Sequence, residues 1–149
     1  MIKKLDHVCL IVKDLDRSIR FYRDVMGLKV SKVVDIEGEY PQKILGVKNV
    51  KISYAKLSVP DKSVRNGPVL ELHCWRKPRI LPNKSFAHIS FGLKDIDAEY
   101  KKLRRKGVRF IFKPLTAPDG HARICFGYDP DGNRIEFIEN KESGRFSQN

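Results

Sequence analysis

Two stretches decide the fold: residues 5–30, LDHVCLIVKDLDRSIRFYRDVMGLKV, and residues 86–111, FAHISFGLKDIDAEYKKLRRKGVRFI. A constant offset of 81 (88 − 7) pairs His7 with His88, Lys13 with Lys94, Asp14 with Asp95 and Asp16 with Asp97. Each stretch opens with a short apolar run, VCLIV or ISFGL, turns at K-D-[LI]-D, and continues into about ten residues of helical patterning. Either Asp of the turn can cap the helix that follows, because its carboxylate accepts from backbone N–H groups left without partners in the first turn. Gly27 and Gly107, one residue out of step, suit the left-handed position that closes a helix. The first helix carries an apolar stripe of Ile19, Tyr22, Val25 and Met26, and the second Ala98, Tyr100 and Leu103; both stripes read as core.

Working outward, the rest of each copy reads as strands. In the first copy they fall near 29–36, 50–57 and 69–75, and in the second near 109–112, 123–128 and 134–139. Residues 37–47 and 60–67 read as loops, the second carrying Pro60, Asp61, Asn66 and Gly67. Residues 76–85, with Pro78 and Pro82, read as the connector between copies. The expected class is therefore α+β, built from two βαβββ modules at about residues 1–76 and 85–140. Neither module covers both faces of its own sheet. Together they are expected to form a curved mixed sheet around a cleft, with helices outside, as one domain over 1–140. Residues 141–149 read as a polar, frayed tail.

Composition bounds what such a domain does. The chain has 149 residues, 41% of them hydrophobic, which suffices for a packed interior. It contains no apolar run near the roughly 20 residues needed to cross a bilayer, and no signal-peptide core, so a cytoplasmic protein off the membrane is expected. Cys9, Cys74 and Cys125 are widely spaced, odd in number and without a CxxC pair, which argues against a disulfide framework and a cysteine zinc site. Each reads as a reduced, buried thiol in a strand. A net charge of +12 favours anionic partners. The densest basic group, Lys101, Lys102, Arg104, Arg105 and Lys106, lies on one expected helix and reads as a solvated face. No zinc finger, basic zipper or RNA-binding aromatic signature accompanies it, so nucleic acid is not the expected partner.

The repeat also pairs two carboxylates. Glu71 in GPVLEL and Glu136 in GNRIEF each sit mid-strand between bulky apolar neighbours. Strand side chains alternate faces, so if Leu70 and Leu72, or Ile135 and Phe137, face the helices, each Glu faces away from them. Charge on the inner face of a curled sheet is expensive unless paired or bound to metal. Structural constraint alone would keep glycines and apolar periodicity in a repeat, but not a His and a Glu in both copies. His7, Glu71, His88 and Glu136 thus read as the ligands of a divalent ion with positions left open for water or substrate oxygens. By strand parity His73 and Trp75 share the face of Glu71, and Arg134 shares that of Glu136. Arg123 and His121 begin the penultimate strand. His73, Arg134, Arg123 and His121 are the candidates for holding an anionic substrate.

These segments, with VLELHCW and DPDGNRIEFIE, resemble the successive landmarks of the vicinal oxygen chelate (glyoxalase I / bleomycin resistance protein / dioxygenase) superfamily over roughly residues 1–140. The resemblance implies the glyoxalase-like fold and a homodimer. In the glyoxalase I branch the first His, the Glu of the IEL-like strand, the second His and the final Glu bind metal, which carries over to His7, Glu71, His88 and Glu136. The activity implied is that of a lactoylglutathione lyase-like lyase or isomerase: a metal-stabilised enediolate, a small anionic substrate, and Glu136 or Glu71 as catalytic base. The metal can be Ni, Zn, Co, Mn or Fe. An extradiol-type Fe(II) dioxygenase is the alternative, needing only His7, His88 and Glu136 and leaving Glu71 a spectator. A fosfomycin- or bleomycin-resistance protein, binding its drug or transferring a thiol, is the third reading.

Overall fold

A computed structural model describes residues 7–45, 47–61, 67–82, 88–116, 120 and 122–140. The connector at 76–85 and the loop at 60–67 lie partly outside these residues, and His121 and the tail at 141–149 wholly so. The chain divides into two units, Met1–Asn83 and Lys84–Asn149.

In the first unit the elements run β1 (His7–Ile11), α1 (Leu15–Arg20), β2 (Lys29–Glu37), α2 (Glu39–Leu45), β3 (Lys51–Ser58) and β4 (Val69–Lys77). The sheet order is β1-β4-β3-β2, with β1 parallel to β4 and the other pairings antiparallel. Asp14 caps α1, its Oδ1 accepting from the Arg17 backbone N–H at 2.9 Å. Gly27 follows the helix at φ +79°, a backbone conformation that costs a side-chain-free residue little. Leu70, Leu72 and Cys74 on β4 are buried, as are Leu10, Leu15, Ile19 and Tyr22, and α1 lies against β3 and β4. Burial of each large apolar side chain contributes ~1.5–3 kcal/mol.

The second unit repeats the plan: β5 (Ile89–Gly92), α3 (Ile96–Arg105), β6 (Arg109–Phe110), β7 (Leu115–Thr116), β8 (Ala122–Tyr128) and β9 (Arg134–Asn140). Its order is β5-β9-β8-β6, with β5 parallel to β9 and β7 also paired to β8. Asp95 caps α3 through the Ala98 N–H at 2.9 Å. The core contains Ile96, Leu103, Val108, Cys125, Ile135 and Phe137, and Phe137 meets Phe110 with ring centroids 5.5 Å apart. The α+β class and the repeat are as the sequence indicates, with one mixed sheet in each unit.

Four expectations need correction. Residues 39–45 form a helix instead of a loop: Pro41 falls in the first turn, where a missing N–H costs nothing, and Gln42 Nε2 donates to the Gly38 carbonyl at 3.0 Å while its Oε1 accepts from Asn49 N–H. The first helix is not one regular run. Phe21–Val25 widens into a π turn, the Met26 N–H reaching the Phe21 carbonyl at 3.0 Å; this extra residue leaves Val25 and Met26 only half-buried. In the second helix Ala98 is exposed, and the buried stripe is Ile96 and Leu103. The strand expected at 109–112 stops at Phe110, and a second short strand, β7, follows Pro114, which has no N–H to continue a ladder.

Candidate active site

In the first unit Glu71 lies on β4 between two core residues, and so points away from α1. Across the parallel pair it stands level with Cys9 of β1, and across the antiparallel pair level with Lys56 of β3. His7, Cys9, Tyr54, Lys56, Glu71 and His73 thus occupy one face of this sheet. Glu71 Oε2 is 3.0 Å from His73 Nε2 and 3.9 Å from His7 Nε2, and Oε1 accepts from Lys56 Nζ at 2.9 Å. The Glu71 side chain is only 9% exposed, against 46% for His7. Burial works to raise its pKa, but hydrogen bonds from Lys56 and His73 and the charges of His7 and Lys56 outweigh it, holding the carboxyl below its ordinary value. His73 is steadied from its other side by the Tyr54 ring, with centroids 5.4 Å apart.

The second unit repeats this register. Glu136 stands level with Ser90 of β5, the counterpart of Cys9 at the offset of 81, and with Phe126 of β8. His88 Nε2 is 3.5 Å from Glu136 Oε2, and the imidazole rests edge-on to Phe126 with centroids 5.1 Å apart. Each unit therefore sets an imidazole at the start of its first strand, His7 or His88, near a carboxylate of its last strand, Glu71 or Glu136, and the first unit adds a second imidazole, His73.

The candidate substrate residues separate under this geometry. His73 joins Glu71. Arg134 shares the face of Glu136 at an exposed position level with Tyr128. Arg123 does not join them: it is level with Glu139, one residue out of phase with Glu136, and its guanidinium is held by both carboxylate oxygens of Asp97 on α3. Glu139 Oε2 in turn accepts from the Ile96 N–H at 2.8 Å. Arg123 thus ties the helix to the back of the sheet. His121 lies outside the described residues.

Cys74 and Cys125 are buried as expected, but Cys9 is exposed on the Glu71 face. Although the residue as a whole is exposed, desolvation of the thiol, with the Glu71 charge second, pushes it up to about 12. It is a poor nucleophile at neutral pH. Lys56 went unnoticed in the sequence. Its only signal is parity in ISYAKLS, where Tyr54 and Lys56 alternate with Ala55 and Leu57, and the cross-strand register that makes it matter is not legible there.

Among the described residues no group of three or more His, Cys, Asp or Glu side chains forms a ready metal centre. The donor types nevertheless fit a divalent ion of borderline hardness: an imidazole nitrogen beside a carboxylate oxygen, at 3.9 Å in one unit and 3.5 Å in the other. Among the described residues no helix is long and apolar enough to cross a membrane.

A lactoylglutathione lyase of Haemophilus influenzae is 33% identical over 138 residues, covering 92% of this chain and 93% of its own. A probable lactoylglutathione lyase of Synechocystis is 32% identical over 135 residues, covering 89% and 92%. The fold matches a glyoxalase family protein from Bacillus cereus with a TM-score of 0.79 at 21% identity, over 94% of this chain and 95% of that one. Residues 4–137 match the model of one family, and with its repeated strand–helix plan the chain belongs to the Glyoxalase/Bleomycin resistance protein/Dioxygenase superfamily.

Proposed function

We propose that the chain is a divalent-metal-dependent lyase or isomerase of the glyoxalase I type, with His7, Glu71, His88 and Glu136 as metal ligands and the two units acting as one domain over residues 1–140. The observation that carries the proposal is the repeated pairing of a His at the start of the first strand with a Glu of the last, His7 with Glu71 and His88 with Glu136. The lactoylglutathione lyase relatives direct the choice of reaction. The bound ion, Ni, Zn, Co, Mn or Fe, would supply Lewis-acid polarisation of adjacent substrate oxygens.

The chain's own residues do the rest. Glu136 is the proposed base, taking a proton from one carbon of a hemithioacetal at Oε2 and returning it to the neighbouring carbon, so that the product is the isomeric thioester with no atom gained or lost. Its surroundings favour that role: Phe126 stands level with it on β8, and His88 Nε2 is 3.5 Å from its Oε2. Glu71, bridged by Lys56 and His73, is the more firmly held carboxylate and the second candidate base. His73 and Arg134 are the proposed contacts for an anionic part of the substrate. The net charge of +12 favours a small anionic substrate. A homodimer and a cytoplasmic location belong to the same proposal.

The test is elemental analysis of untagged protein purified anaerobically, beside Glu136→Gln, with thioester formation from hemithioacetals as the activity assay. Near-stoichiometric Ni, Co or Zn, lost in the variant together with thioester formation, is the expected outcome. Iron with ring-cleaving activity would put the dioxygenase reading first. Failure to take up any divalent ion would sink the site.

A further inference from the structure

The two carboxylates are equivalent in register but not in environment. Level with Glu71 across β3 and β4 stands Lys56; level with Glu136 across β8 and β9 stands Phe126. Two residues further along the strand, on the same face, the first unit has His73 and the second Ile138. Glu71 therefore has an ammonium at 2.9 Å on one oxygen and an imidazole at 3.0 Å on the other, where the second unit has Phe126 and Ile138 in the two corresponding positions. Both oxygens that could face an ion are engaged by groups of the protein, one of them a full positive charge.

We propose that Lys56 is a built-in competitor for the Glu71 carboxylate, a cation that a divalent ion must displace before Glu71 can ligate it. This rests on the reading that Glu71 is a metal ligand. A buried carboxylate without a counter-ion is costly, and the ammonium neutralises it in the metal-free protein. A metal ion arriving at Glu71 meets the repulsion of that ammonium and must break its hydrogen bond. The unit containing Glu136 carries no such penalty in the corresponding position. Lys56 thus lowers affinity for the ion while stabilising the metal-free state, and makes the first unit's carboxylate the conditional ligand of the set. The lysine has somewhere to go: its side chain is 38% exposed, and its stem is long enough to swing the charge into water.

The experiment is titration of Zn²⁺ into the full-length, chelator-stripped protein in competition with a chromophoric chelator. Wild type is compared with Lys56→Met, Lys56→Arg, Glu71→Gln and the Lys56→Met/Glu71→Gln double variant. Lys56→Met is expected to bind Zn²⁺ about tenfold more tightly, the scale of losing one partly screened charge and its hydrogen bond. Lys56→Arg keeps the cation and is expected to bind as wild type does. In the Glu71→Gln background the gain from Lys56→Met should vanish. Lys32→Met removes an equal charge one strand further out, level with Lys56, and is expected to change affinity less than about twofold.

Unchanged or weaker binding by Lys56→Met would overturn the proposal while leaving the metal site standing. So would a gain that persists without Glu71, or one that Lys32→Met reproduces. No Zn²⁺ binding by wild type would remove both this inference and the ligand reading beneath it. Circular dichroism establishes that each variant is folded; if Lys56→Met is not, Lys56→Gln carries the same prediction.

Discussion

Phe126 lies directly across the strand pair from Glu136, in the register position that Lys56 holds opposite Glu71. One repeated backbone plan thus carries two differently equipped carboxylates, and their substitutions have different expected consequences. Glu136→Gln should abolish metal retention and lower kcat/KM for a hemithioacetal by about 10²–10⁴, the range for removing a positioned acid–base group. Glu71→Gln should weaken metal binding while retaining more of the turnover at saturating metal. Steady-state kinetics with metal in excess distinguishes the two; equal losses in kcat would contradict the assignment of Glu136 as base.

Cys9 should resist alkylation in the metal-free protein at neutral pH despite its exposure, because its thiol is pushed up to about 12 by desolvation and by Glu71. Removing the Glu71 charge lowers the thiol pKa, so Glu71→Gln should speed modification of Cys9 by iodoacetamide. Peptide mass mapping over time reads this directly. Rapid labelling of Cys9 in the wild type would show that the thiol is not desolvated.

Arg123 joins β8 to the start of α3, and Arg123→Ala should lower the melting temperature while leaving bound metal unchanged. Its hydrogen bond and charge hold the Asp97 carboxyl below its ordinary pKa. A depressed folded-state value means the stabilisation is fully present above the ordinary carboxylate pKa and is lost as pH falls through the lowered one. The wild type and Arg123→Ala should therefore differ in stability at neutral pH and converge in acid. Thermal melts across the acidic range test this, and a gap that persists in strong acid would point to packing instead of charge.

Phe137 is 1% exposed and meets Phe110. Phe137→Ala should cost about 3–5 kcal/mol, since the transfer loss and the cavity add. The neighbouring Ile138→Ala, on the half-buried opposite face, should cost less. Urea denaturation of both variants ranks them; a smaller loss at Phe137 would mean that this core relaxes around the gap.

Much of the fold was legible because the repeat is written in local chemistry. Asp14 and Asp95 cap helices through side-chain oxygens that accept from the backbone N–H three residues on, Gly27 and Gly107 end them at positive φ, and alternation on β4 and β9 sorts apolar residues from carboxylates. The same locality explains what was misread. Gln42 ties down a helix through hydrogen bonds over four and seven residues, in a segment that composition presents as a loop. Arg123 was expected to hold an anionic substrate, yet a strand reverses facing with each residue, and only the pairing with Glu139 fixes its phase.

Sequence by itself determined that a strand–helix–strands plan occurs twice, though not the α2 helix of the first copy or the β7 strand of the second, and it determined the His and Glu that recur, because period, caps and repeat are properties of neighbouring residues. Tertiary structure alone decided what stands opposite each carboxylate. The histidines are offset by 81 (88 − 7) but the glutamates by 65 (136 − 71), since the intervening loops differ in length. No constant shift could align Lys56 with Phe126; the hydrogen-bonded register of two sheets does, and with it one carboxylate is given a counter-ion and the other an aromatic wall.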